Sequence, residues 1–181
     1  GTKTITMTPI SNTAANVDRY ANGEGLRAFV ASYAAMGANA PTMQLTYTNS
    51  AGTTGRTTTA GIVSTASATS GTILNSGNAA NKVGPFLTLA AGDTGIKDLE
   101  SLAWGGTAHA SGSVFIGLCK PLCMPIPVPA TGLYNMVDFV NTLPSMPRLR
   151  NGANIQFLVF GTGATTAAAT LYTNFDYGWG G

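Results

Sequence analysis

The sequence predicts an all-β protein, a single β-sandwich or jelly-roll-like domain over residues 1–181 with short helical turns in its loops. Roughly eight to ten short apolar or alternating segments are separated by turn residues, which is the pattern of a sandwich, jelly roll or barrel. The chain has 23 glycines and is rich in Thr, Ser and Asn, residues that favour turns and half-buried strands. No repeat of fixed period is visible, which argues against a propeller or solenoid.

Charged residues are scarce in this chain. Only 9% of the residues are charged and 44% are hydrophobic, whereas roughly a quarter of an average soluble domain is charged. The net charge is +2 and no block of Lys or Arg is present, so we expect no nucleic-acid partner. No apolar run approaches the length of a membrane span, and the first residues lack the pattern of a signal peptide. A surface with so few charges suits a protein that is packed against neighbours.

The first part of the chain predicts three strands. Residues 3–8 alternate polar and apolar side chains, which predicts a terminal strand with Ile5 and Met7 on one face. Such a strand is typical of a sheet edge, where it can also pair with a neighbouring copy. The spacing of apolar residues over 26–36 suits a helix or a strand, and the β-like surroundings favour a strand. Residues 42–48 alternate cleanly and predict a strand that ends in a turn.

The middle of the chain mixes turns with apolar segments. Residues 60–81 are rich in Ser, Thr, Ala and Gly and predict loops and short edge strands. Residues 85–89 predict a strand, and residues 114–118 predict a second, buried strand. Residues 91–95 predict a turn. Residues 96–104 are ambiguous, because their first apolar residues recur at helical spacing while the last ones alternate as in a strand.

The last third of the chain contains the segment around which we expect the core to form. Residues 155–160 carry five large apolar side chains out of six and are bounded by Gly-containing turns, which predicts a central strand covered on both faces. Four prolines over 121–129 predict a stiff, extended connection, and 133–140 has the spacing of one or two helical turns. Residues 167–177 predict a last strand, followed by a tail of glycine and aromatic residues that contains Trp179.

Candidate catalytic or metal-binding residues are few. His109 is the only histidine and lies among Ser, Ala and Gly, which predicts an exposed loop residue rather than a member of a catalytic triad. Cys119 and Cys123 have metal-like spacing, but a tetrahedral zinc site needs two further ligands, which one histidine does not complete. We interpret them as small, partly buried thiols at a strand end, with a strained local disulfide as the alternative. We therefore expect no metal and no cofactor.

The carboxylates suggest one alternative chemistry. Asp98 and Glu100 are two residues apart, so on a strand they would share a face, and Asp93 is predicted in a turn. All three are interpreted as solvated surface residues. The sequence Gly-Asp-Thr-Gly around Asp93 also matches the motif of aspartic proteases, which need a second copy of this aspartate from a partner or another lobe. A protease-like homodimer is therefore a further hypothesis, while the main expectation is that the chain is not an enzyme.

An ordered set of turns and core strands in the second half resembles a known family. In chain order the set is Ala91-Gly-Asp-Thr-Gly-Ile96, Leu99-Glu-Ser-Leu102, Val114 to Leu118 into Lys120-Pro-Leu122, Leu143-Pro-Ser-Met-Pro147-Arg148 and Asn151-Gly-Ala-Asn154. With the apolar and Thr-rich strands that follow, it is similar to the small head decoration or auxiliary capsid proteins that tailed bacteriophages encode beside the major capsid protein. The resemblance covers about residues 85–181, and it implies a strand over 96–104.

The resemblance implies a non-enzymatic structural protein of the virion. Such a protein binds the outside of a bacteriophage head and stabilises the head by bridging subunits of the major capsid protein, after assembly in the host cytoplasm. We expect a homo-oligomer, most simply a trimer around a symmetry axis. The alternative is a carbohydrate-binding or host-attachment module of a virion, for which the C-terminal aromatic rings would supply a platform.

Residues predicted to contact the capsid or a second subunit are of three kinds. They are the side chains of the terminal strand, a pair of arginines able to form bidentate contacts with carboxylates, and aromatic residues of the tail. In chain order these candidates are Lys3, Ile5, Met7, Arg148, Arg150, Tyr177 and Trp179. The alternative is that the arginines form a solvated edge that discourages sheet pairing and that the aromatic rings pack in the core and tail.

Overall fold

The computed structural model describes residues 3–6, 20–74 and 84–122, together with Ile155 and Leu158. These residues form β-strands and no helix, so the predicted all-β class is confirmed. The strands are β1 (Lys3–Thr6), β2 (Arg27–Ala34), β3 (Thr42–Asn49), β4 (Arg56–Thr57), β5 (Ile62–Val63), β6 (Ile96–Gly105) and β7 (Ser113–Cys119).

β3 and β6 form the central ladder of a five-stranded antiparallel sheet. β1 pairs with the other side of β6, while β4 and β5 both pair with β3. β3 alternates as its sequence predicts, because Met43, Leu45 and Tyr47 are buried while Gln44 and Thr46 between them are half-buried. The predicted strand over 42–48 is therefore confirmed.

β2 and β7 form a second, two-stranded antiparallel sheet that packs against the first. Ala28 and Val30 of β2 belong to the main buried cluster together with the inner residues of β3 and β6. Val114, Ile116 and Leu118 of β7 pack against the same cluster. Since one sheet covers the inner face of the other, the described residues form a sandwich-like core. The jelly-roll form of the prediction depends on further strands and stays a prediction.

The outer face of β2 carries a second apolar cluster. Phe29 and Ala31 are buried in it, and Leu158 from the C-terminal part of the chain packs against it. Gly117 of β7 makes room for the Phe29 ring, which a Cβ at this position would overlap. β2 is thus buried on both faces, which explains why 26–36 shows no clean alternation. The predicted strand in this segment is confirmed.

β7 is a strand, as predicted, but the expectation that it is buried is wrong. Its residues are half-buried or exposed, and Phe115 is 44% exposed. The Phe115 ring meets the edge of the Phe29 ring at a centroid distance of 6.0 Å, which covers only part of it. An apolar run alone does not tell whether one or both faces of a strand are covered.

β6 is a single strand that contains two β-bulges. Its register against β3 shifts twice, and each shift adds one residue to β6. The buried residues Ile96, Leu99 and Leu102 are therefore three apart instead of two, and the buried Trp104 follows at the ordinary spacing of two. The helical spacing in the sequence results from these bulges, and the strand expected over 96–104 is confirmed.

Residues 85–89 do not form a strand, contrary to the prediction. Leu87 is buried, but the backbone here bonds to two different elements. Leu87 N donates to the carbonyl oxygen of Ala28 at 2.9 Å, and the carbonyl oxygen of Thr88 accepts from Thr59 N at 2.9 Å. Since a strand needs successive bonds to one neighbour, these apolar residues belong to an irregular segment of the core.

Of the remaining predicted elements, one segment is described by the structure and the others are not. Between residues 60 and 74, β5 and an isolated bridge between Ala31 and Ile73 confirm the predicted loops and short strands. The other elements lie outside the described residues: most of the connection over 121–129, the helical turns over 133–140, the central strand over 155–160 except for Ile155 and Leu158, and the last strand over 167–177.

Candidate interaction surface

β1 lies at the edge of the five-stranded sheet, where its sequence predicts it. In the described part of the chain only one side of β1 is paired, with Lys3 opposite Trp104 and Ile5 opposite Leu102. All four residues of β1 are exposed, and Ile5 is 37% exposed although Leu102 beside it is buried. The outward N–H and C=O groups of such an edge can accept a further strand.

A pocket of about 130 Å³ lies beside β1, next to the loop that joins β6 and β7. Lys3 and Ile5 line it together with Met36, Trp104 and Val114, which belong to the main apolar cluster or pack against it. Within the described ranges the second sheet is two strands wide and does not extend over the inner side of β1. The pocket is therefore an opening in the side of the sandwich at the edge strand.

None of the described residues around the pocket gives Lys3 a counter-charge. Among the described residues, the one ion pair joins Arg56 to Asp93, and Lys3 takes no part in it. Ser111 and Ser113 also line the pocket and are exposed. The pocket thus combines apolar walls with one cation and two hydroxyl groups, a set that suits an apolar group adjacent to an anion.

His109 is not the exposed loop residue that the sequence predicts. It is half-buried, and its Nδ1 lies 3.1 Å from the carbonyl oxygen of Gly37, to which only a protonated nitrogen can donate. In the neutral ring Nε2 then accepts from the hydroxyl of Ser64 at 2.8 Å. The ring is edge-on to Trp104 with 5.4 Å between centroids. Because Ser64 is fully buried, His109 binds the loop after β6 to the core and forms a wall of the pocket.

Asp93 lies in the predicted turn, but it is not a solvated surface residue. Its side chain is 5% exposed. One carboxylate oxygen accepts from the Tyr47 hydroxyl at 2.7 Å and from Arg56 Nε at 2.9 Å, and the other accepts from Asn49 Nδ2 at 2.8 Å. These donors come from β3 and β4, so Asp93 binds the turn before β6 to the end of the sheet.

This cluster shifts the pKa of two of its members. The Arg56 guanidinium, followed by the Tyr47 hydroxyl, lowers the pKa of Asp93 to about 2. Burial, followed by the hydrogen bond to Asp93, raises the pKa of Tyr47 to about 12. A carboxylate that accepts from three donors stays ionised at neutral pH. In an aspartic protease two aspartates share a proton, whereas the carboxylate of Asp93 here accepts from three donors of its own chain.

The two remaining candidate carboxylates also bond to the backbone of the sheet and its loops. Glu100 accepts from the Thr48 hydroxyl at 2.9 Å and from Gly55 N at 3.0 Å. Asp98 accepts from Leu99 N at 2.8 Å. Both side chains belong to half-buried residues of β6, and Glu100, expected as a surface residue, also binds the loop after β3.

Cys119 is a half-buried free thiol at the end of β7, as predicted, and burial raises its pKa. Cys123 lies outside the described residues. Within the described ranges no group of three His, Cys, Asp or Glu side chains could hold a metal ion. The same residues include no helix long and apolar enough to cross a membrane.

Two of the predicted contact residues, Lys3 and Ile5, come together at the pocket. The other candidates lie outside the described residues: Met7, Arg148, Arg150, Tyr177 and Trp179. The sequence did not predict Trp104 or His109 at this surface. For Trp104 a signal exists, because its alternation with Leu102 places both on the inner face. For His109 no local pattern points to its partners.

Comparisons with known proteins returned no match. This holds for protein-family models, for curated proteins and for solved structures. The resemblance to bacteriophage head decoration proteins therefore stays a prediction, and the function has to be inferred from the residues of this surface.

The substitution Tyr47→Phe tests the cluster around Asp93. It removes a hydroxyl that donates to Asp93 and accepts from Ala90 N at 2.9 Å, so we expect a loss of about 1–2 kcal/mol in the free energy of unfolding. Urea denaturation followed by circular dichroism measures it. The control Tyr33→Phe changes a ring that is 73% exposed and should change stability little. Equal stability of Tyr47→Phe and wild type would contradict the role of this hydroxyl.

The low pKa of Asp93 predicts a pH dependence of stability. The pKa in the folded state is about 2, below the ordinary value of 3.8, so the stabilisation is complete above the ordinary value and is lost as pH falls towards 2. The difference in unfolding free energy between wild type and Asp93→Asn should therefore be largest at neutral pH and shrink in acid. Denaturation curves at several pH values measure it, and a constant difference would contradict the prediction.

The substitution His109→Ala tests the contact between the loop and the core. It leaves the buried hydroxyl of Ser64 without its partner, and we expect a cost of about 1–3 kcal/mol. Adding Ser64→Ala should recover part of this loss, because the unpaired hydroxyl is then absent. Thr107→Ala, an exposed change in the same loop, is the control. If the effects of His109→Ala and Ser64→Ala on the free energy of unfolding were strictly additive, the hydrogen bond between these residues would not be the cause of the loss.

Proposed function

We propose that this chain is a capsid decoration or cement protein of a bacteriophage. It binds the outer surface of the head and stabilises it by bridging subunits of the major capsid protein. Copies associate around a symmetry axis as trimers, and each contact can be weak because many copies act on one lattice. The protein is in this view a structural component of the virion exterior without catalytic activity.

The observation that carries the proposal is the edge strand β1, whose outer side is paired with no other described strand. Soluble monomers usually protect such an edge with charges, prolines or cover. β1 is short and carries Lys3, which are two features that protect an edge, but all four of its residues are exposed, and Ile5 lines a pocket together with Met36 and Trp104. An edge of this kind favours a protein whose partner supplies the next strand.

The composition and the resemblance support the same conclusion. With 9% charged residues, the chain has few charges to keep neighbouring copies apart. The order of turns and strands over residues 85–181 resembles that of head decoration proteins. The carboxylate and histidine that could have supported an enzyme are instead engaged in the fold, Asp93 with three donors and His109 with Gly37 and Ser64.

The test is binding of the purified chain to phage heads that lack it. We expect the wild type to sediment with the heads and to raise the temperature at which they break open. Ile5→Lys should bind roughly tenfold or more weakly, because it adds a charge to the edge and removes apolar contact. The matched control Tyr33→Lys adds the same charge at an exposed site away from β1 and should bind as the wild type does.

Two results would decide against this proposal. If the wild type fails to bind heads of the virus that encodes it, decoration is rejected. If it binds glycans on an array and is found away from the head, the host-attachment alternative is favoured.

A further inference from the structure

The edge strand presents two different side chains to the same pocket. Lys3 and Ile5 are two residues apart, so they project from the same face of β1. That face is the inner one, because their partners on β6 are Trp104 and Leu102, both of which are buried. A strand added to the outer side of β1 would place every second side chain beside Lys3 and Ile5.

An added strand that continues the pattern of this sheet is antiparallel to β1. Every described ladder in the sheet is antiparallel, including the one between β1 and β6. An antiparallel partner runs from the position opposite Ile5 to the position opposite Lys3. Directly opposite residues share a face and touch each other. Residue i of the partner strand therefore lies opposite Ile5, and residue i+2 lies opposite Lys3.

Charge decides what suits the position opposite Lys3. No described acidic residue pairs with its ammonium group, and the exposed residues Ser111 and Ser113 bring hydroxyl groups to the same pocket. A carboxylate would accept from the ammonium group and from these hydroxyls. A cation at this position would be repelled by the ammonium group of Lys3, and an apolar residue would form no ion pair with it.

Size and polarity decide what suits the position opposite Ile5. The pocket holds about 130 Å³ and its walls include Met36, Trp104 and Val114. A volume of this order accommodates one aliphatic side chain or a single small ring. Both ring nitrogens of His109 already have hydrogen-bond partners in the chain. The ring therefore forms a wall of the pocket and needs no polar group from a bound segment.

We infer that β1 binds an extended protein segment in which an aliphatic residue is followed two positions later by Asp or Glu. The aliphatic side chain enters the pocket beside Ile5, and the carboxylate pairs with Lys3. The inference rests on the proposed pairing of the β1 edge with a partner and names the chemistry of that partner. A second copy of β1 does not meet it, because Lys-Thr-Ile-Thr carries no carboxylate.

Labelled peptides and the full chain test this inference without any phage head. The probe is Ser-Thr-Ile-Thr-Asp-Thr-Ser, and its controls replace Asp by Lys, replace Ile by Ser, or reverse the order to Asp-Thr-Ile. Fluorescence anisotropy should show the probe binding about tenfold or more tightly than each control. The variant Lys3→Glu should prefer the Lys peptide over the Asp peptide, whereas Lys97→Glu, the same charge change on β6, should keep the wild-type order.

The outcomes separate this inference from the proposed function. Absence of peptide binding, or binding with the same order of preference in Lys3→Glu, overturns the inference. If heads bind wild type and Lys3→Glu equally, decoration stands and the acidic partner is rejected. If a wild-type oligomer dissociates on Ile5→Lys, the edge is taken by a second copy, and the inference is rejected. If hydrogen exchange shows residues 3–6 protected in an isolated monomer, the chain covers its own edge, and the inference is rejected.

Discussion

The antiparallel pairing of β3 with β6 is the interaction on which the rest of the structure depends. It places the buried residues of both strands on one inner face, against which β2 and β7 pack. β1 uses the free side of β6, and β4 and β5 use the free side of β3. At the end of this ladder, the carboxylate of Asp93 holds the turn before β6 against Tyr47 and Arg56.

The alternating strands and the turns could be predicted from the sequence because their cause is local. β3 alternates residue by residue, and the edge position of β1 follows from its short, polar, terminal pattern. β6 was ambiguous because its two bulges change the spacing of buried residues from two to three, and a bulge depends on the partner strand. Residues 85–89 were predicted wrongly because an apolar run marks burial without telling where its backbone bonds go.

The sites were harder to predict than the strands, since their residues meet across long stretches of chain. His109 bonds to residues 45 and 72 positions away, and Asp93 bonds to donors 37 to 46 positions away. Both therefore looked like solvated loop residues. Lys3 and Ile5 could be chosen from the strand pattern alone, but their pocket depends on Met36, Trp104 and Val114, which only the folded chain brings together.

We propose that the edge strand β1 pairs with a protein on the surface of a phage head. Cryo-electron microscopy of the particle that contains this chain is the most direct test. The account predicts density for the chain on the outside of the head, with a strand of a neighbouring subunit continuing the sheet beyond β1. Density in the tail, or on the head with β1 facing solvent, would contradict it.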